Sequence, residues 1–161
     1  MEQGKMGIAG ITVGARAPDF KLKDHTSGAF SLSEHRERYL LLSFHPLAWT
    51  RVCAQQMQSL EAHVDDFEEL HTMAVGISVD AVPSKKAWAE SLDITKMRLL
   101  SDFWPHGAVA EKYGLFIAAR GISGRANVIV DLEQRVAWIK VYDIPELPDI
   151  DEVIQTLRGL Q

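Results

Sequence analysis

Between residues 39 and 80 the hydrophobic period of the chain changes twice, and this limits the folds open to it. YLLLSF, from Tyr39 to Phe44, is an almost unbroken apolar run, the pattern of a strand buried on both faces. From Cys53 the period becomes helical. Cys53, Met57, Leu60, Val64, Phe67 and Leu70 follow at intervals of 4, 3, 4, 3 and 3, which predicts one face of a single helix of about five turns. MAVGISVD, from Met73 to Asp80, returns to strand. Strand, helix and strand at this length predict a βαβ crossover with its two strands parallel.

The flanking segments extend that unit. Residues 1–11 read as a flexible tail, and residues 12–161 as one domain. VGARAPDFKLKDHTSGAFSLSEH carries short alternating runs broken by Gly, Pro and Asp, the mark of hairpins and loops. A short helix is predicted from Ser84 to Leu92 with Ser84 as its N-cap, and another from Gly107 to Tyr113. RANVIVDLEQRVAWIKVY reads as two strands around a turn at Leu132 to Gln134. DIDEVIQTLRGL reads as an amphipathic helix with Ile150, Val153, Ile154 and Leu157 inward. The sum is an α/β domain, a mixed central sheet flanked by helices.

Composition excludes several functions. A net charge of -5 over 161 residues argues against nucleic acid, whose phosphates need clustered Lys and Arg. No apolar run is long enough to span a membrane. MEQGKMGIAGITVG lacks a long apolar core behind a basic head, so no secretory signal is expected. One cysteine leaves no internal disulfide to form, which fits a reducing, cytoplasmic setting.

That cysteine, Cys53, falls where a strand gives way to a helix, the place where open α/β sheets put chemistry. Free backbone N–H groups and the positive end of the helix lie there, and both favour thiolate over thiol. The bland alternative is a small hydrophobe on the apolar stripe. The neighbours decide between them. Pro46, Thr50 and Cys53 form Pro-x-x-x-Thr-x-x-Cys, which resembles the active-site motif of the peroxiredoxins, the thiol-specific antioxidant and alkyl hydroperoxide reductase family. VGARAPDFKL resembles that family's N-terminal hairpin extension. ISVDAVPSKKAW resembles its Ser-x-Asp and Ser-x-x-x-Trp segment, and SDFWPHGAVAEKYGLF resembles its one-cysteine bacterial branch. GRANVIVD resembles the strand bearing the family's active-site arginine, which puts Arg125 six residues before Asp131.

The resemblance implies a thioredoxin-like fold over about residues 12–160. It implies a thiol-dependent peroxidase in which the Cys53 thiolate attacks hydrogen peroxide or an organic hydroperoxide. It implies no cofactor. With no second cysteine in the chain, an external thiol or a thioredoxin- or glutaredoxin-like partner must resolve the sulfenic acid. Pro46 lacks an N–H and shields the sulfur. The Thr50 hydroxyl can accept from peroxide while donating elsewhere, and shares the pocket with Cys53 if the helix has begun by residue 50. Arg125, rather than nearby Arg120, brings permanent charge to the developing oxygen anion. Gln56 stands where many relatives carry an acid, and can still orient the arginine. Trp49 and Trp104 border the active-site loop, where such proteins pair as homodimers. A redox-sensing or chaperone-like protein that uses Cys53 oxidation as a signal is the competing class.

Magnitudes rank these roles. A thiol at the reference pKa of about 8.5 is roughly 3% ionised at pH 7. Lowering a pKa to about 6 multiplies the thiolate about 30-fold, but a Brønsted slope of about 0.4–0.5 returns roughly tenfold of that. Fast peroxide reduction therefore needs alignment and charge stabilisation more than ionisation. A metal site is disfavoured, since no histidine pair among six has His-x-x-x-His spacing. His45 and His106, beside the motif and after Pro105, read as structural more than pocket-lining. GISGR does not run from a strand into a helix as a phosphate loop does.

Overall fold

The computed structural model describes residues 11–161. Of the tail read over residues 1–11, all but Ile11 lies outside the described residues, and Ile11 is buried in the core. A hairpin of β1 (Lys21–Asp24) and β2 (Ala29–Ser31) opens the domain. β3 (Tyr39–Phe44) follows and forms the middle of the sheet. Its side chains alternate between two cores, with Leu40, Leu42 and Phe44 in one and Leu41 in the other. That double burial explains the nearly unbroken apolar run.

The crossover from β3 takes two helices rather than the single long one predicted. α1 (Arg51–Ala62) stops at His63, and α2 (Val64–Glu69) restarts beyond it. The His63 imidazole Nδ1 lies 2.8 Å from the Ser59 carbonyl. That carbonyl is the one the His63 amide would use in a continuing helix. The amide bonds Leu60 O instead, at 3.1 Å, and the helix breaks. The apolar stripe survives the break, because Met57, Leu60 and Phe67 all pack into one core. β4 (Thr72–Ser78) then pairs parallel to β3.

α3 (Val82–Ser91) begins two residues before the predicted start, with Ala81 rather than Ser84 as its N-cap. Pro83 explains the shift, because a fixed φ and a missing N–H cost nothing in a first helical turn. The remaining elements are β5 (Arg98–Ser101), α4 (Ala108–Lys112), the two-residue strands β6 (Phe116–Ile117) and β7 (Ile122–Ser123), β8 (Arg125–Val130), β9 (Val136–Tyr142) and α5 (Ile150–Leu160). Sequence patterning missed β5, β6 and β7, which are too short to display a period.

The seven-stranded sheet runs β2-β1-β5-β4-β3-β8-β9. β3, β4 and β5 are parallel, and the outer pairings are antiparallel. α1, α2, α3 and α5 contribute Met57, Phe67, Trp88 and Leu157 to the core on one face, and α4 contributes Val109 and Ala110 to the core on the other. Gly76 on β4 lets α1 approach closely. A Cβ there would lie 2.5 Å from the sulfur of Met57 and 3.2 Å from the His45 ring.

Two consequences of this sheet position the site. The β3–β8 register pairs Phe44 with Ala126, so Arg125 stands one step beyond the end of β3, where the chain turns into α1. On β8, Ile129 belongs to the helix-covered core and Ala126, Val128 and Val130 to the other. By period-two alternation Arg125 therefore faces α1.

Candidate active site

The loop between β3 and α1 carries Pro46, Leu47, Ala48, Trp49 and Thr50. Pro46 is buried, and its lack of an N–H leaves no unpaired donor there. Trp49 holds a positive φ of 70°, which an aromatic residue adopts only under external constraint. The constraints come from the segment that follows β4. The Ala48 amide donates to Asp80 Oδ2 at 2.8 Å, and the Trp49 indole donates to Ser84 Oγ at 3.0 Å.

Thr50 is the N-cap of α1, with extended backbone and no side-chain cap bond. The helix has thus not begun at residue 50, contrary to the condition set from the sequence, yet Thr50 still lines the pocket. Its hydroxyl donates to Leu47 O at 2.8 Å, which commits the proton and leaves the oxygen lone pairs to accept. The first intrahelical bond runs from the Ala54 amide to Thr50 O at 2.9 Å. The amides of Arg51, Val52 and Cys53 precede it, at the positive end of the helix.

Cys53 is fully buried beneath this turn. Arg125, itself 2% exposed, donates from Nη1 to Cys53 Sγ at 3.4 Å and to Gln56 Oε1 at 2.7 Å, and from Nε to Ile144 O at 2.8 Å. Gln56 is held in turn. Its Nε2 donates to Ser43 Oγ at 2.7 Å and to Phe44 O at 3.3 Å. The neutral amide thus aims the guanidinium by hydrogen bonds alone, as anticipated for Gln56, and leaves its charge free for an incoming anion. Above lies a pocket of about 420 Å³ lined by Pro46, Thr50, Val52, Arg120, Arg125 and Ile144, among others. Arg120 sits at its exposed rim.

Pro46, Thr50, Cys53 and Arg125 therefore converge, while the two histidines near the motif do not line the pocket. His45 is buried behind the loop, and His106 Nε2 lies 2.8 Å from Gly121 O. Sequence reasoning missed the anchors Asp80 and Ser84. Both lie in the Ser-x-Asp and Ser-x-x-x-Trp segment, which was the available signal.

A model of the AhpC/TSA family matches residues 13–139. The chain belongs to the AhpC/TSA family. Alkyl hydroperoxide reductase E of Mycobacterium tuberculosis is 42% identical over 140 residues, covering 86% of this chain and 91% of that protein. Peroxiredoxin-2 of Cricetulus griseus is 30% identical over 165 residues, covering 97% and 82%. Among solved structures, the reduced 2-Cys peroxiredoxin of Plasmodium vivax superposes with a TM-score of 0.86 at 27% identity, over 92% of this chain and 81% of that one. Peroxidoxin BcpB of Mycobacterium tuberculosis gives 0.82 at 25% identity, over 94% and 99%. The thioredoxin-like fold implied by the sequence resemblance is the fold observed. This AhpC/TSA member is a thiol-dependent peroxidase, and its single cysteine fits the one-cysteine mechanism. Its substrate is a peroxide and its reductant a thiol. Among the described residues, no helix is long and apolar enough to cross a membrane.

Proposed function

We propose that Cys53 is the peroxide-reducing thiol and that Pro46, Thr50 and Arg125 form its reaction site. The observation that carries this reading is the Arg125 guanidinium, 3.4 Å from Sγ and fixed by Gln56 and Ile144. The Cys53 thiolate attacks one oxygen of the peroxide as the O–O bond breaks. The products are the Cys53 sulfenate and water or an alcohol, with the peroxide proton passing to the leaving oxygen. The Thr50 oxygen accepts from the peroxide O–H and orients it. Arg125 and the first amides of α1 stabilise the charge that grows on the oxygens in the transition state. Pro46 keeps bulk water from the sulfur.

An external thiol completes the cycle through a mixed disulfide, which a second thiol reduces. A small thiol or a thioredoxin- or glutaredoxin-like protein fits this need, and the reaction belongs in a reducing cytoplasm. Intact mass after one equivalent of peroxide should show one added oxygen on a monomer-mass chain, trapped by dimedone. Excess peroxide should carry the sulfur on to sulfinic acid, which ordinary thiols do not reverse. Prompt and complete conversion to a Cys53–Cys53 dimer would instead make a neighbouring chain the resolving partner.

We also infer a non-covalent homodimer. Leu47 and Trp49 in the loop before α1, and Phe103 and Trp104 after β5, present large apolar surface to solvent, with Trp104 80% exposed, and exposed aromatic surface of this kind favours a contact face. Sedimentation equilibrium at micromolar concentration should give the mass of two chains, and Trp104→Ser should weaken the association. A monomer under these conditions removes the inference.

A further inference from the structure

Behind the active-site loop, on the side away from the pocket, lies a buried lysine that the peroxidase chemistry above does not use. Lys85, on α3, is 0% exposed. Such burial is rare for lysine and is tolerated only with partners. Its ammonium donates to Ser78 Oγ, lies 3.4 Å from His45 Nε2, and sits 5.7 Å from the Trp88 ring centre.

The two polar partners are arms that reach the loop. Ser78 Oγ donates to Asp80 Oδ2 at 2.6 Å, and the same carboxylate oxygen accepts from the Ala48 amide at 2.8 Å. His45 is the residue before Pro46. Its Nδ1 lies 3.3 Å from Ser43 O. A carbonyl can only accept, which assigns the proton to Nδ1 and leaves the Nε2 lone pair facing Lys85. The Ser43 hydroxyl is the group that holds Gln56, and Gln56 holds Arg125. A chain of polar contacts thus leaves Cys53 through Arg125 and Gln56 to the Ser43 hydroxyl, and the main-chain carbonyl of the same residue accepts from the His45 imidazole. From His45 the contacts reach Lys85, and return through Ser78 and Asp80 to the loop.

We propose that Lys85 is a positioning residue for the peroxidase reaction, its buried ammonium bracing the Pro46–Thr50 segment above Cys53 through His45 on one arm and Ser78–Asp80–Ala48 on the other. The charge matters as well as the donors. An ammonium polarises the Ser78 hydroxyl it bonds, and so strengthens that hydroxyl's own bond to Asp80. It also stands within charge reach of both Asp80 and Cys53, and so offsets the Asp80 carboxylate.

The charged and titratable groups around Lys85 are Asp80 after β4, His45 at the end of β3, Cys53 on α1 and His25 in the β1–β2 turn. Burial holds the lysine down to about 8, against the opposing pull of Asp80 and Cys53. Burial, then the Lys85 charge, keep His45 well below the usual histidine range, so His45 stays neutral and does not titrate in the same window. The brace therefore loses its charge just above neutral pH.

The inference rests on Cys53 being the peroxide-reducing thiol. It is tested by stopped-flow tryptophan fluorescence of the reduced protein with hydrogen peroxide, from about pH 7 to about pH 9.5. The wild-type second-order rate constant should fall with a midpoint near pH 8. Lys85→Met should react about tenfold more slowly at pH 7, the scale of a small misplacement of reacting groups. Its profile should lack the fall near pH 8, with the wild type converging on it at high pH. A folded Lys85→Met protein with the wild-type rate overturns the proposal. So does a slower variant that keeps the midpoint near pH 8, since lost packing alone has no such midpoint. If Lys85→Met does not fold, the wild type decides alone, and a flat profile overturns the proposal. A wild type that fails to react at any pH overturns the Cys53 reading with it, whereas a reactive wild type with a flat profile overturns only the role of Lys85.

Discussion

Cys53→Ser should abolish thiol-dependent peroxide consumption and leave the circular dichroism spectrum unchanged. The swap is nearly isosteric at a fully buried position, so the core around Met57 and Leu60 keeps its packing. The serine hydroxyl can still take the hydrogen bond that Arg125 gives to sulfur. Its oxygen is not a thiolate, however, and has no redox chemistry to offer a peroxide. The chain holds no second thiol that could substitute, because it has one cysteine. The assay is loss of hydrogen peroxide with excess dithiothreitol. Substantial residual turnover above the uncatalysed rate would sink the assignment of Cys53.

Arg125→Met should slow oxidation by about 10²-fold or more, the scale of removing one donor aimed at transition-state charge. Methionine keeps much of the apolar stem but none of the three bonds that now tie the guanidinium to Cys53, Gln56 and Ile144. Gln56 Oε1 is then left buried without its donor, which adds a stability cost of about 1–3 kcal/mol. Rate constants for peroxide oxidation measured well below the melting temperature separate the two effects. Arg120→Met should change the rate far less, because Arg120 is an exposed rim residue in the turn after β6. Reversed effects of the two substitutions would refute the choice of Arg125.

The contrast between those arginines shows where local sequence stops being informative. Both precede or follow a glycine-rich turn, and composition does not distinguish them. The resemblance of GRANVIVD to a family strand pointed to Arg125, and the β3–β8 register explains why that is the residue within reach of Cys53. The contact spans 72 residues of chain, a separation over which no periodicity carries information. The single five-turn helix read from residue 53 onward failed for a related reason. The apolar stripe recorded which side faces the sheet, but not that the His63 side chain would compete for the Ser59 carbonyl. The N-cap read at Ser84 missed because Pro83 starts the helix earlier, and Ser84 receives the Trp49 indole instead.

The sequence by itself determined the strand, helix and strand around Cys53, because side-chain period is a local property that each strand or helix writes into its own residues. It also determined the spacing of Pro46, Thr50 and Cys53, which fall within one loop and one helical turn. The electrostatics of the site belong to the tertiary structure. Lys85 and Lys86 are adjacent and chemically identical, and nothing in PSKKAW separates them. Lys86 is an exposed partner of Glu90 at 2.9 Å, whereas Lys85 is fully buried beside His45 and Ser78. Successive residues of a helix point about 100° apart. Which of the two turns inward is settled only when α3 packs against β5, with Lys85 meeting Ser78 at the end of β4 and His45 just after β3, and that packing decides which lysine carries its charge in water and which carries it behind the active-site loop.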